Sequence, residues 1–208
     1  MIKKSEFLLT LADPSQMDDL FTGPFLKGHG EPRIAMVGRS NVGKSSLINA
    51  LLGVRLAQTS NKPGKTRAIH FYHWKDAGKI IADLPGYGFA KAAKSERDRW
   101  EKFIHLYFQR DENLERAIVL LDARHGPTES DLEAIEFLSL QGIPVTFVFA
   151  KADTLKTQSQ RALRQKEADQ ALKSLGRNSE TALWVSVHSQ VGLKQLVRDL
   201  KAVYKTED

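Results

Sequence analysis

The sequence predicts an α/β protein of three layers, with a mostly parallel central sheet, one antiparallel strand, and helices on both faces. Short apolar, β-branched runs alternate with helix-length segments along the chain, as in strands joined by helical crossovers. The one exception is a pair of runs, 70–74 and 79–83, separated only by the turn Lys75-Asp76-Ala77-Gly78, which makes a hairpin and so reverses one strand. The chain of 208 residues is 41% hydrophobic, enough to bury one good core.

Residues 1–31 read as an N-terminal extension. Gly and Pro are dense at Gly23-Pro24 and across 28–32, and one short strand, 7–11, lies on the core. Residues 32–208 read as a single domain. Its parallel strands are expected at 33–37, 79–83, 117–122, 144–150 and 181–187, and its helices at 44–52, 97–110, 129–140, 159–175 and 193–204. Thr128 can cap the helix that begins at Glu129, Gly142 can end it, and Pro144 blocks its continuation. Gly176 stops the next helix, and the polar turn from Ser189 to Gly192 precedes the last one.

Composition narrows the function. The absence of cysteine rules out disulfides, thiolate zinc sites and a cysteine nucleophile, so any metal is a hard ion on oxygens. No stretch approaches the roughly 18 apolar residues of a membrane span, and Met1-Ile2-Lys3-Lys4 opens no signal peptide, so a cytoplasmic, membrane-free protein is expected. Lys and Arg number 31 against 25 acidic residues, a formal charge of +6 that favours an anionic partner.

Gly38-Arg39-Ser40-Asn41-Val42-Gly43-Lys44-Ser45 reads G-x-x-x-x-G-K-S between a strand and a helix. There the glycines let backbone N–H groups turn toward a polyphosphate and the helix start adds positive potential. Lys44 suits the β- and γ-phosphates, and Ser45, followed by Ser46, suits Mg²⁺. Asp83-Leu84-Pro85-Gly86 ends the next parallel strand, where Asp83 can hold a metal-bound water and the Gly86 N–H can meet a γ-phosphate. Between these motifs the basic loop 61–67 offers Gly64, Lys65, Thr66, Arg67 and then Ala68; the Thr66 hydroxyl can be a second Mg²⁺ ligand in the triphosphate state. Ala150-Lys151-Ala152-Asp153 follows another strand. A carboxylate at Asp153 accepts from N1 and N2 of guanine, a donor pair adenine lacks. The Lys151 stem can lie along the base or reach the phosphate loop. Val185, Ser186 and Val187 close the set, with a backbone N–H at Ser186 for the guanine O6.

These motifs, in this order, resemble the GTPases of the translation-factor class. With Pro63-Gly64-Lys65-Thr66, Asp83-Leu84-Pro85-Gly86-Tyr87-Gly88 and Asp122-Ala123-Arg124-His125, the chain is similar, from about Phe7 to about Tyr204, to the EngB family of bacterial ribosome-assembly GTPases. The resemblance implies a P-loop GTPase fold, GTP and GDP as ligands, Mg²⁺ on Ser45 and Thr66, and Lys44, Thr66 and Gly86 as the catalytic set. It also implies the large ribosomal subunit or its RNA as partner, with effects on growth and septation, and a monomer is expected. A nucleotide-regulated adaptor of the division machinery is the alternative. A P-loop small-molecule kinase fits the cradle but not Lys151 to Asp153.

Two positions depart from the class. Ala150 stands where Asn or Thr is usual, which removes a tether between the base loop and the phosphate loop, and Val187 follows Ser186 where a smaller or hydroxyl residue is commoner. Tyr87 stands where many relatives carry a water-orienting Gln, so slow turnover and an outside activator are expected. Asn41 makes K⁺ a candidate second cation at the phosphates. His70 and His73 read as half-exposed strand residues rather than bases, and Trp100 and Phe103 as core. The basic segment after Tyr87, with Lys91, Lys94, Arg97, Arg99, Lys102 and Arg110, and the strip Lys194, Arg198, Lys201 and Lys205 are candidate RNA-facing surfaces.

Overall fold

The computed structural model describes residues 4–22, 30–58, 68–87, 94–176 and 182–202, with backbone alone for Asp18, Asp19, Thr22 and residues 94–100. Seven strands form one sheet: β1 (Glu6–Leu11), β2 (Arg33–Gly38), β3 (Ile69–Trp74), β4 (Lys79–Asp83), β5 (Leu114–Asp122), β6 (Val145–Ala150) and β7 (Leu183–Val185). Their spatial order is β1-β3-β4-β2-β5-β6-β7. Only β3 runs against its neighbours, as the short hairpin requires; every other pairing is parallel. The helices are α1 (Met17–Thr22), α2 (Lys44–Leu52), α3 (Lys94–Arg110), α4 (Glu129–Leu140), α5 (Gln158–Lys173) and α6 (Leu193–Lys201).

Strand periodicity of two explains the layering. On β2, Ala35 and Val37 face a core with Met17, Phe103, Tyr107, Ile135 and Leu172, whereas Ile34 and Met36 face Leu47 and Ile48 of α2 and Leu196 and Leu200 of α6. The central strands are thus buried on both sides, which is why they read as unbroken apolar runs. Phe103 packs in the first core as the helical spacing predicts, while the Trp100 side chain and Lys205 lie outside what is described.

The N-terminal segment is more than a strand laid on the core. β1 pairs with β3 as the sheet's edge strand, and the chain then enters α1 through a turn at Pro14–Gln16, where Asp13 accepts from the Ser15 N–H at 2.9 Å and Gln16 Oε1 accepts from the Asp13 N–H at 3.0 Å. Six residues make no stable helix alone. Met17, fully buried, supplies about 1.5–3 kcal/mol to hold α1 down.

Two element ends differ from expectation. The strand expected over 181–187 covers Leu183–Val185, because at Ser186 the chain turns back and its N–H donates to the Val191 carbonyl at 2.9 Å; Thr181 lies outside the described residues. The last helix, expected over 193–204, is described to Lys201, after which Ala202 is extended.

Candidate nucleotide site at the carboxyl edge of the sheet

Parallel strands β2, β4, β5, β6 and β7 all end on one edge of the sheet, and the motifs follow their last residues. Gly38 ends β2, and the loop 39–43 turns through left-handed residues at Asn41 (φ 64°) and Gly43 (φ 115°), a conformation that Gly and Asn adopt most easily. A Cβ on Gly38 would stand 2.9 Å from Val42 Cγ1, so the loop closes only around glycine. No side chain caps α2, which leaves its first-turn N–H groups to a ligand. Lys44 is buried and paired with the Asp83 carboxylate, and the half-buried Ser45 follows it.

After Asp83, the Leu84 N–H donates to the Met36 carbonyl at 3.2 Å, and Gly86 arrives against the phosphate loop, where an added Cβ would stand 2.9 Å from the Ser40 nitrogen and hydroxyl. The Ser40 N–H donates to the Tyr87 carbonyl at 3.2 Å. The Tyr87 ring turns inward, 8% exposed, and its hydroxyl donates to Asp131 Oδ1 at 2.8 Å. Burial, then Asp131, pushes that phenol well above its ordinary pKa. Asp131 Oδ2 takes the Thr128 N–H at 2.8 Å and the Thr128 hydroxyl at 2.7 Å. Asp131 therefore ties down the start of α4 as much as the expected cap, Thr128, does. Arg39 Nε lies 3.3 Å from Asp131 Oδ2, within ion-pair distance but without hydrogen-bond geometry. Sequence reasoning missed Asp131, although Thr128-Glu129-Ser130-Asp131 has the spacing of a capping box; that signal marks its helix-start bond and not its bond to Tyr87.

On the base side, Lys151 has φ 62°, and its ammonium donates to the Asn41 carbonyl at 2.7 Å and to Asp122 Oδ2 at 2.9 Å. Of the two placements expected for Lys151, the structure shows the one that reaches the phosphate loop. Asp122 also receives the Arg124 N–H at 3.0 Å, Nε at 2.9 Å and Nη2 at 2.7 Å. Burial alone would raise the Asp122 pKa; the bonds from Arg124 and Lys151 override it and hold the carboxylate far below its ordinary value. The Ser186 hydroxyl donates to Asp153 and, opposed by burial, lowers its pKa; the same oxygen accepts from the Ser189 N–H at 3.0 Å. The Ser186 N–H donates to the Val191 carbonyl at 2.9 Å, and the next backbone N–H along the turn is that of Val187.

The structure therefore gathers residues 38–46, 83–87, 150–153 and 185–187 on one edge. Gly64, Lys65, Thr66 and Arg67 lie outside the described residues, as do residues 88–93; Ala68 is half-buried just before β3. Among the described residues no His, Cys, Asp and Glu cluster forms a metal cage. The Ser45 hydroxyl and the buried Asp83 carboxylate are the hard oxygens that suit Mg²⁺, an ion commonly bound by one or two protein oxygens plus substrate phosphates. Of the remaining candidates, His70 Nδ1 meets the Thr10 hydroxyl at 2.8 Å, and His73 Nε2 lies 3.3 Å from Glu31, neither placed as a base. In the C-terminal strip Lys201 is paired with Asp76, and Arg198 lies 3.6 Å from Asp199, so half of that basic face is locally neutralised. No described helix is long and apolar enough to cross a membrane.

A family model described as 50S ribosome-binding GTPase matches residues 33–151. The probable GTP-binding protein EngB of Cytophaga hutchinsonii is 51% identical over 124 residues, 59% of this chain and 62% of that protein, so the match spans just under two thirds of that relative. The probable EngB proteins of Bacillus subtilis, 42% identical over 74% of each chain, and Geobacillus thermodenitrificans, 40% identical over 84% of this chain and 83% of that one, extend the likeness. Among solved structures, a probable GTP-binding protein EngB superposes with a TM-score of 0.61 at 25% identity, covering 81% of this chain and 98% of that one. Aquifex aeolicus Era bound to GDP and AlF4⁻ gives 0.64 at 25% identity, covering 84% of this chain and 57% of that one. Phosphate-loop geometry and strand order coincide with likeness along most of the chain: it belongs to the EngB family of GTP-binding proteins, within the P-loop GTPases.

Proposed function

We propose that the chain is a slow, Mg²⁺-dependent switch that hydrolyses GTP to GDP and phosphate and acts in assembly of the large ribosomal subunit, on which normal division and septation then depend. The observation that carries the switch is Gly86 packed on Ser40 of the phosphate loop, where an added Cβ would stand 2.9 Å from the Ser40 nitrogen. The ribosomal half rests on the family model, described as 50S ribosome-binding.

In this reading Lys44 exchanges Asp83 for the β- and γ-phosphates, and the α2 amides and the loop 38–43 cradle the rest. Ser45 and Thr66 would hold Mg²⁺ with the Asp83 carboxylate in support, and the ion would neutralise charge on the phosphates. Asp153, pre-oriented by Ser186, accepts from guanine N1 and N2, and the Val187 N–H meets O6. The Gly86 N–H reads the γ-phosphate. Tyr87, held inward on Asp131, presents no amide to orient the attacking water, so intrinsic turnover is slow and the assembling subunit supplies the missing group. Asn41 at the phosphate loop would be the residue to hold K⁺ as a charge-stabilising second cation, a role that equal rates in NaCl and KCl would remove.

The test is co-sedimentation with ribosomal subunits in the presence of a GTP analogue, GDP or no nucleotide. Enrichment on large subunits with the analogue supports the proposal, and equal or no association in all three overturns the ribosomal half. Turnover by the purified protein alone in the ~1–100 s⁻¹ range of kinases overturns the slow-switch half.

A further inference from the structure

We propose that Asp122 is a positioning residue of the guanine site, one that fixes Lys151 across the phosphate loop and so replaces the polar side chain that Ala150 lacks. The inference rests on reading Lys151 to Asp153 as the guanine-recognising loop.

The sheet itself sets up the arrangement. Asp122 ends β5 directly opposite Ala150, the last residue of β6, so its carboxylate reaches the base loop at the point where a polar residue 150 would act. Asp122 is 3% exposed, and both of its oxygens are engaged: Oδ1 by the Arg124 N–H and Nε, Oδ2 by Arg124 Nη2 and Lys151 Nζ. The Lys151 ammonium then reaches a third element, the Asn41 carbonyl of the phosphate loop. Its stem runs beside the same loop, for a Cβ on Gly43 would stand 3.9 Å from both Ala150 Cβ and Lys151 Cε. One carboxylate thus joins the end of β5, the base loop and the phosphate loop.

Physical chemistry gives each partner a separate task. A lysine on a flexible four-carbon stem loses much rotamer freedom when fixed, and a buried carboxylate bond offsets that before any ligand arrives. Left-handed backbone at Lys151 is unfavourable for a residue with a Cβ and persists only where its surroundings enforce it. Arg124 solves the remaining problem. Without a second cation the carboxylate would cancel the Lys151 charge, and the pocket would lose its pull on an anionic ligand. With Arg124 held on the same carboxylate, the trio keeps a net positive charge beside the phosphate loop.

The test is the release of fluorescent GDP and of a fluorescent non-hydrolysable GTP analogue, followed by stopped flow, with circular dichroism and thermal melts on every variant. Asp122→Asn is expected to speed release of both nucleotides about tenfold, the scale of one lost charge-assisted bond. In a Lys151→Ala background the same change should add less than about twofold, since the residue it acts through is gone. Adding Ala150→Asn to Asp122→Asn should recover at least half of the loss, which a merely structural carboxylate would not allow. Wild-type release by Asp122→Asn, an undiminished effect in the Lys151→Ala background, or no recovery with Ala150→Asn each overturns the proposal. Should Asp122→Asn fail to fold, Asp122→Glu, which keeps the charge but displaces it, should still speed release several-fold, and a wild-type rate there overturns the proposal equally. A wild-type protein that retains fluorescent ADP as well as GDP sinks the guanine reading instead.

Discussion

Tyr87→Phe removes a single hydroxyl and leaves the ring's packing in place. That hydroxyl donates to a fully buried carboxylate at 2.8 Å, and a hydrogen bond to a charged group contributes about 1.5–3 kcal/mol. Asp131 keeps both Thr128 donors and the nearby Arg39, so the carboxylate is not stranded and the loss should fall near ~2 kcal/mol. For a domain of this size that is a fall of about 4–8 °C in Tm. Asp131→Ala strands the hydroxyl, two Thr128 donors and a guanidinium together, and should lose about 3–5 kcal/mol. Once the carboxylate is gone the hydroxyl has nothing to hold, so adding Tyr87→Phe to Asp131→Ala should change stability by under ~0.5 kcal/mol. Equilibrium urea unfolding at constant m value measures all three. Additive losses in the double variant, or a Tyr87→Phe loss under ~0.5 kcal/mol, refute the clamp. Intrinsic GTP hydrolysis gives a second check: since the hydroxyl points into the protein, Tyr87→Phe should leave the rate within about twofold, and a tenfold fall would mean that the hydroxyl serves the reaction.

Three further outcomes follow from the geometry. Gly192→Ala would set a Cβ 2.2 Å from the Trp184 carbonyl at a residue with φ 69°, so backbone must move; a loss of at least ~3 kcal/mol is expected by urea unfolding, and an unaffected midpoint contradicts the packing. Asp153→Asn should lower GDP affinity by two orders of magnitude or more and raise that for xanthosine diphosphate, measured by competition; retained GDP preference removes Asp153 from base reading. Burial, opposed by Asp83, holds the His70 pKa below its ordinary 6.5, so the unfolded chain takes up that proton first. The His70 contribution to stability is therefore whole above about pH 6.5 and is lost as pH falls through the folded value. His70→Gln should flatten the pH dependence of unfolding in that window, and an unchanged profile counts against the assignment.

Strands and the phosphate loop were legible because their signals are local. Burial on both faces writes unbroken apolar runs at β2, β5 and β6, and a left-handed turn followed by a helix demands the glycine spacing found at 38–43. α1 was missed although Asp13-Pro14-Ser15-Gln16 is a helix-start signature, because the Gly and Pro residues that follow it favour a loop reading. The strand expected through 187 stops at Val185 because the chain turns at Ser186 although the apolar run around it continues. Least legible were the partners. Lys44 and Asp83 are 39 residues apart, Tyr87 and Asp131 are 44, and Asn41 and Lys151 are 110, separations at which no spacing rule links one side chain to another.

Taken together, those partners share one design. Asp83 holds Lys44, Asp131 lies beside Arg39, and Asp122 holds Lys151 and Arg124, so each buried carboxylate at this edge keeps a cation in or near the phosphate loop. A buried ion pair gains little net stability over an apolar pair of the same shape, because desolvation offsets attraction. Its advantage here lies in binding. Lys151 and Arg124, hydrogen-bonded to Asp122 before a nucleotide arrives, need no further ordering, and together they outweigh the one carboxylate that holds them. The pairs also differ in how they should respond to a nucleotide. In the proposed function Lys44 leaves Asp83 for a phosphate, which would free that carboxylate for the metal, whereas Asp122 holds Lys151 and Asp131 holds Tyr87, bonds that should persist throughout. Asp83→Asn should therefore impair the Mg²⁺ dependence of triphosphate binding more than GDP binding, while Asp122→Asn weakens both alike. Equal profiles for the two variants, read from nucleotide release with and without Mg²⁺, would show that the carboxylates are interchangeable supports and that this division of labour is wrong.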